Sequence, residues 1–531
     1  MPWARRALPS GGVVRVFLLA FVIYAYFMPR WADWNIDSRL DLSHAIVTDH
    51  SLRIDRYHYN TWDKAVYKGH YYSDKAPGTA VMGAAVYGGF VLARATPLLG
   101  GAIRELEHNS AWNTAIVLGR TDTQKAPAAK GRVLGGCQRS GSGNVQTIPW
   151  GNRLYPPFQD WALSKYVVTI GVDALLSALF VAFFFWFLGF FVAGIAIRLV
   201  LTALYGLATA ALPYSTVFYS HQPVAAFLFT AFALIFLRSR SRVGSWAIPA
   251  AGFLLGLALF TEYTVALIIA LVGLYALWMF RRSPSAVAGL CAAGSVPVLA
   301  LFAYNYLTFG NPLDTGYSHD FCWSAAPAAG YAGFTSVQLG PLFDLTLGPY
   351  RGLFFMSPFL LLTIPGAWIM ARRGYGVEAI VSLASGAALI LAISAYWGWN
   401  GGQVDGPRYL VPCVPFLAFP VLFFLDSGRR IVVRSLIAAT ALWSVVVTWS
   451  LFLGGDTFPT SWLRNPLTMY SWPNLAGNHI APNAGYFLGL RGWPSLLPLV
   501  FVIILLAGWP MQQRRTSVQP SSLASDPTAP A

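Results

Sequence analysis

Apolar stretches long enough to cross a bilayer follow one another along most of this chain, and polar residues gather in the intervals between them. The first runs from Val13 to Met28, another fills Trp161 to Leu188, and the alternation then continues to Trp509. About 20 apolar residues span roughly 30 Å of hydrocarbon as a helix. The pattern predicts further helices near residues 162–188, 199–216, 222–238, 246–261, 263–280, 285–306, 351–371, 377–397, 408–426, 431–453 and 493–511. The expected fold is an all-α polytopic membrane protein, a bundle of about twelve transmembrane helices.

The interval from Asp37 to Gly78 is different in kind. Asp37 to His50 fits a short amphipathic helix on the membrane surface, with Leu42, Ala45, Ile46 and Asp49 on one side and Asp37, Asp41 and His44 on another. Tyr57 to Tyr72 reads as a hairpin or irregular loop. Pro77 to Leu99 is apolar but is expected to be interfacial or re-entrant, because a crossing there would turn Arg238 and Arg281 outward. Gly100 to Gln159, rich in Gly, Ser and basic residues, suits a flexible outer loop. The domain plan is one transmembrane unit over residues 1–512, containing the chemistry-bearing loop 31–76 and an insertion at 100–160, followed by a disordered cytoplasmic tail, 513–531.

Composition agrees with the pattern. Of 531 residues, 56% are hydrophobic and only 11% charged, against about 25% charged in soluble domains. A net charge of +15 would suit nucleic acid, but the basic residues fall in clusters between apolar runs: Arg5 and Arg6, Arg238 to Arg242, Arg281 and Arg282, Arg372 and Arg373, Arg429 and Arg430, Arg514 and Arg515. That spacing orients a membrane protein with these loops and both termini inside. The acids, including Asp33 to Asp74, Asp314, Asp320 and Asp405, fall in the alternate loops, so the working face is expected outside the cytoplasm. The N-terminus has the charge and apolar run of a signal peptide but no small-residue cleavage pattern, and an uncleaved helix is expected. Cys291 and Cys413 read as packing residues. Cys137 and Cys322 lie in outward loops where a disulfide is permitted. No Cys/His spacing suits a metal.

Asp37 and Asp41 stand one helical turn apart, so each raises the proton affinity of the other. A carboxylate tuned in this way suits a general base; equally, such acids keep an interfacial helix soluble. Arg39 and Lys75 suit a phosphate, one as a bidentate fork and the other as a point charge, or they snorkel to lipid headgroups. Asp74 and Lys75 precede Pro77 and therefore sit at the positive end of the next helix. LPYSTVFYSHQP, Leu212 to Pro223, carries Tyr214, Ser215, Tyr219 and His221, where His221 reads as a phosphate donor or as a cap. Glu262, in FTEYTVAL, is a carboxylate in an apolar hairpin, functional by default or a structural hydrogen bond. YRGLFFMSPFLLL and YWGWNGGQVDGPRYLVP bring Arg351 and Arg408 to the points where outer loops enter helices. There they hold a lipid phosphate while Trp397, Trp399 and Tyr409 stack on a sugar or polyprenyl chain, or they form an ordinary aromatic belt.

In this order, IDSRLDLSHAI, YYSDKAPG, YSTVFYSHQP, FTEYTVAL, GNPLDTGY, YRGLFFMSPFLLL and WGWNGGQVDGPRY resemble the GT-C glycosyltransferases. This polyprenyl-phosphate-sugar-dependent class includes the lipid A aminoarabinose transferase, the protein O-mannosyltransferases and bacterial family 39-like membrane proteins. The resemblance spans most of the chain apart from Gly100 to Gln159 and the tail. It implies a bacterial plasma membrane enzyme that moves a sugar from a polyprenyl phosphate to an extracytoplasmic glycan, lipid or protein, with inversion. It further implies Asp37 as the base, Asp74 as the acid preceding the lysine, and Arg39 and Lys75 on the donor phosphate, helped by His221, Arg351 and Arg408. Asp41, His44, Tyr72, Tyr219, Glu262 and Tyr409 complete the candidate binding set. The chain departs from the aminoarabinose pattern in reading Ile36, Asp37 where two acids adjoin, and in carrying Asp74 for Glu and Ala76 for Pro. No cofactor is expected; a divalent cation is compatible with the pattern but nothing points to one. The alternative class is a transporter or flippase of lipid-linked sugars, which would carry charges near mid-membrane in repeated, broken helices.

Overall fold

The computed structural model describes residues 10–29, 34–112, 158–321, 330, 333–428 and 431–508. Cys137, Cys322, most of the 100–160 insertion and the C-terminal tail lie outside these residues. Helix α1, Ser10–Tyr26, leads to α2, Trp34–Thr48, and then to a hairpin of β1, Lys64–Tyr67, and β2, His70–Ser73. The strands pair antiparallel from Lys64 with Ser73 to Tyr67 with His70. Lys68 and Gly69 turn between them at φ 48° and 81°, the left-handed pair that a two-residue turn requires if it is to match the strand twist. Next come α3, Gly78–Ala95, and α4, Pro97–Glu107. The first part of the supposed flexible insertion is therefore a helix, started by Pro97 with Thr96 Oγ1 accepting from the Leu99 N–H.

A long helix, α5, runs from Phe158–Thr169 through a π turn at Ile170–Ala174 into Leu175–Leu188. It is followed by α6 (Ile195–Leu207), α7 (His221–Ser239), α8 (Ala247–Thr261), α9 (Ala266–Phe280) and α10 (Pro284–Phe309). The last third holds α11 (Thr363–Arg372), α12 (Gly376–Ser394), α13 (Val414–Ser427), α14 (Ile431–Leu453) and α15 (Leu497–Gly508). Among the described residues, eight helices are long and apolar enough to cross a membrane and five shorter apolar helices accompany them.

One of these thirteen, α3, is held at both ends. Gly78 abuts the last residues of α8, where a Cβ would come within 2.3 Å of Thr261 Oγ1. At the other end of α3, Arg94 pairs with Asp160 at the head of α5 and with Glu107 of α4. Lys165, one turn into α5, meets Asp37 of α2. Both ends of α3 are thus held against neighbouring helices, and α3 is itself among the eight that are long and apolar enough to cross a membrane. The basic residues Arg238, Arg240 and Arg281 sit at the opposite ends of α7 and α9.

The core is aromatic. Phe180, Phe184, Phe187, Phe229, Phe232, Phe416 and Phe419 interlock edge-on between α5, α7 and α13, the arrangement aromatic quadrupoles favour. Helices α8 and α10 pack backbone to backbone. A Cβ at Gly252 would lie 2.0 Å from the Leu290 carbonyl oxygen, and one at Gly256 would lie 2.2 Å from that of Gly294. Such small-residue contacts replace the hydrophobic drive that lipid removes. Cys413 is buried as expected, whereas Cys291 faces outward from α10.

Two expectations are corrected. Helix α2 is not amphipathic on a surface: every residue from Asn35 to Ala45 is buried. Its polar side chains are covered because they find partners on α5, on the hairpin, on α3 and in the loops at Asn60 and Ser220. Arg351 is also turned inward and is 1% exposed, with its guanidinium donating to the carbonyls of Gly402 and Val404. It clamps the loop before Arg408 and does not face lipid.

Candidate active site

Helix α2 occupies the middle of the site and presents a different chemistry on each face. Asp37 Oδ1 meets Lys165 Nζ at 3.1 Å, with both side chains buried. One turn on, Asp41 Oδ1 accepts from Asn60 Nδ2 at 2.7 Å. One turn further, His44 Nε2 lies 3.0 Å from Ser164 Oγ, its ring against Tyr87. Burial, then the neighbouring Asp37, drive the Asp41 carboxyl well above its usual range. Burial alone lowers the His44 imidazole to about 3.

A second face meets the hairpin. Ser38 Oγ lies 2.8 Å from Ser73 Oγ and 3.1 Å from Asp74 Oδ1. Lys75 Nζ joins Asp74 at 2.6 Å and Asp63 at 2.8 Å and stands 5.4 Å from the centre of the Tyr317 ring. Burial works against the Lys75 charge, but Asp63 and Asp74, with Tyr317 and Asp320 behind them, outweigh it and hold the ammonium charged well above its ordinary range. Burial raises the Asp74 carboxyl, with Asp63 adding to that effect against the pull of Lys75. Gly316 allows this approach, since a Cβ there would come within 2.5 Å of the Asp74 backbone. Tyr72 packs beneath, edge-on to Phe309.

The third face carries Arg39, which donates to Asn35, to Ser220 Oγ at 3.1 Å, and approaches Glu262 at 3.9 Å. Ser220 Oγ in turn donates to Glu262 Oε2 at 2.6 Å. His221, the first residue of α7, is 3.7 Å from the same oxygen. Burial opposes the Glu262 charge, but His221, Arg39 and the hydroxyls of Ser220 and Thr264 keep its carboxyl below the usual range. Beyond Arg39 lie Tyr219, whose hydroxyl accepts from Arg408 at 3.1 Å, and Tyr409, which accepts from Arg408 at 2.8 Å. Tyr263 stands 6.1 Å from Tyr317, which joins the Glu262 group to the Lys75 group.

Six separate stretches, around residues 37–44, 63, 74–75, 219–221, 262 and 408–409, thus meet at one end of the bundle. Of the residues expected there, only Arg351 is engaged entirely elsewhere. Lys165, Ser220, Asp63 and Tyr317 were not anticipated. Lys165 had a legible signal, a lone cation in DWALSKYVVT inside a 29-residue apolar helix, the kind of position that is functional by default. The other three lie in polar loops and carry no comparable mark. Among the described residues no three His, Cys, Asp or Glu side chains converge as a metal ion would need.

The molecule is therefore a multi-pass helical membrane protein with a buried, densely charged cluster at one end. No family profile matches the chain, and no curated protein does. Two solved structures resemble it. One is ArnT from Cupriavidus metallidurans bound to undecaprenyl phosphate, at 14% identity and a TM-score of 0.46 over 93% of this chain and 76% of that one. The other is the same protein in the apo state, at 13% identity and a TM-score of 0.44 over 93% and 72%. Likeness at this level assigns neither a substrate nor a residue role.

Proposed function

We propose that the protein is a membrane glycosyltransferase that moves a sugar from a polyprenyl phosphate to a hydroxyl of an extracytoplasmic acceptor. The observation that supports this reading is the gathering of a buried acid, Asp37, with the cations Arg39, Lys75 and Arg408 at one end of the bundle. A transporter would distribute such charges through mid-membrane. In the proposed reaction Asp37 takes the proton of the acceptor hydroxyl as its oxygen bonds to the anomeric carbon. The bond from that carbon to the phosphate oxygen breaks, and its electron pair leaves on the phosphate, inverting configuration. Arg39, Lys75 and Arg408 face the leaving anion, where each well-aimed donor contributes several kcal/mol.

Purified protein in liposomes, given a short-chain polyprenyl-phosphate sugar and candidate acceptors, is expected to release polyprenyl phosphate in proportion to glycosylated product. Asp37→Asn is expected to lower that rate by about a hundredfold or more. Lipid-linked sugar reaching the opposite leaflet uncleaved would establish transport instead.

A further inference from the structure

We propose that Lys165 is a positioning residue that decides which of the two acids on α2 carries the charge: Asp37 ionised, Asp41 protonated. This rests on the reading of Asp37 as the base and deepens it. Asp37 and Asp41 are successive turns of one buried helix, and two ionised carboxylates at that spacing repel with little solvent to screen them. Their surroundings are unequal. Asp37 has the Lys165 ammonium at 3.1 Å; Asp41 has a neutral amide, that of Asn60, at 2.7 Å. Burying a lone carboxylate is far costlier than burying a carboxylic acid, so the proton settles on Asp41 and the charge on Asp37.

Lys165 is well fixed for this role. It is 1% exposed, and its Nζ lies 4.4 Å from the centre of the Trp161 ring, whose face stabilises a desolvated cation. Its backbone carbonyl accepts from Thr169 Oγ1 at 2.7 Å. The other charged and titratable groups around this part of α2 are Arg39 on α2 itself, Asp173 further along α5 and within reach of Arg39, Lys64 on β1, His44 between Tyr57 and Tyr87, and the Asp74–Lys75 pair beyond Ser38. Lys64 and Lys165 both attract Asp41, yet its burial and the Asp37 charge outweigh them. An acid dyad divided in this way supplies an ionised base at neutral pH beside a neutral neighbour, as paired carboxylates with unequal environments do elsewhere.

The test uses the full-length protein in detergent and has two arms. In the first, thermal midpoints are compared for Asp37→Asn, Asp41→Asn, Lys165→Met and the double variant Asp37→Asn/Lys165→Met. Asp41→Asn, which mimics the protonated acid, is expected to change the midpoint little. Each of Asp37→Asn and Lys165→Met strands a buried charge and is expected to lower it by several degrees, and the double variant is expected to recover most of that loss. An Asp41→Asn loss as large as that of Asp37→Asn, or additive losses in the double variant, would overturn the charge assignment. In the second arm, Lys165→Met is expected to move the acidic limb of the kcat profile to higher pH with the donor KM unchanged, while Lys165→Arg keeps the limb in place. A stationary limb in Lys165→Met overturns the positioning role. If Lys165→Met does not fold, the double variant and Lys165→Arg decide the matter: no recovery in the first, or a displaced limb in the second, overturns the proposal. Retained turnover in Asp37→Asn would sink the base reading alone, because the stability arm does not depend on it.

Discussion

Ser220 donates its hydroxyl hydrogen to Glu262 Oε2 across 2.6 Å and receives Arg39 Nη2 at 3.1 Å on the same oxygen. One small side chain therefore couples an anion and a cation that are otherwise 3.9 Å apart. Ser220→Ala is expected to destabilise the protein by about 1–3 kcal/mol, the range for stripping a partner from buried charged groups. Reversible denaturation in detergent measures this. A change below about 0.5 kcal/mol would mean that Arg39 and Glu262 re-pair without the hydroxyl.

Gly316 offers a test of how tightly the Lys75 turn is held. A Cβ there would sit 2.5–2.8 Å from three backbone atoms of Asp74, a clash that only backbone movement relieves. Gly316→Ala is expected to cost about 1–3 kcal/mol and to weaken binding of a polyprenyl phosphate measured by fluorescence titration. Unaltered affinity would separate the Asp74–Lys75 turn from the binding site.

The donor phosphate of the proposed reaction can be sought through the cations Lys75 and Arg39. Lys75→Ala is expected to weaken polyprenyl-phosphate binding by about tenfold or more, since a lost charge–charge contact in a poorly screened site is worth upward of about 1.4 kcal/mol. Arg39→Lys is expected to weaken it as well, because a point charge does not reproduce a forked contact. Equal affinities in both variants and the wild type would place the phosphate elsewhere.

His44 gives the site a pH signature. Burial holds its imidazole at about 3, below the ordinary 6.5, so the unfolded chain takes this proton more readily than the fold does. The corresponding stability is full above pH 6.5 and is lost as pH falls from 6.5 toward 3. Asp41 and Asp74, raised in the fold, act in the opposite direction, so the informative quantity is the difference between wild type and His44→Gln. That difference is expected to shrink by roughly 1 kcal/mol per pH unit over the window. Parallel stability curves for the two proteins would show His44 to be protonated within the fold.

The helix pattern was legible because hydrocarbon demands length and apolarity, and both are written into consecutive residues. The predicted 222–238, 246–261, 377–397 and 431–453 fall within a few residues of α7, α8, α12 and α14. Tyr57 to Tyr72 suits a hairpin or an irregular loop, and the structure forms the hairpin, turning at Lys68 and Gly69. Helix α2 was misjudged because periodicity reports which residues share a side, and gives no sign that several other elements will cover all sides at once. Asp37, Asp41 and His44 do share a side, as spacing required, but the surface they meet is α5 and the loop at Asn60 instead of water. Arg351 followed the same logic in reverse: a guanidinium at a loop-to-helix junction suits lipid phosphate and backbone carbonyls alike, and only the fold of residues 402–404 decides between them.

The direct backbone contact of α8 with α10, at Gly252, Gly256 and Gly294, has a mechanical consequence. Two rods meeting carbonyl against Cα, with no side chains to re-rotamer between them, cannot shear past each other, so the stretch ending at Thr261 is an anvil and Glu262 sits on its rim at fixed height.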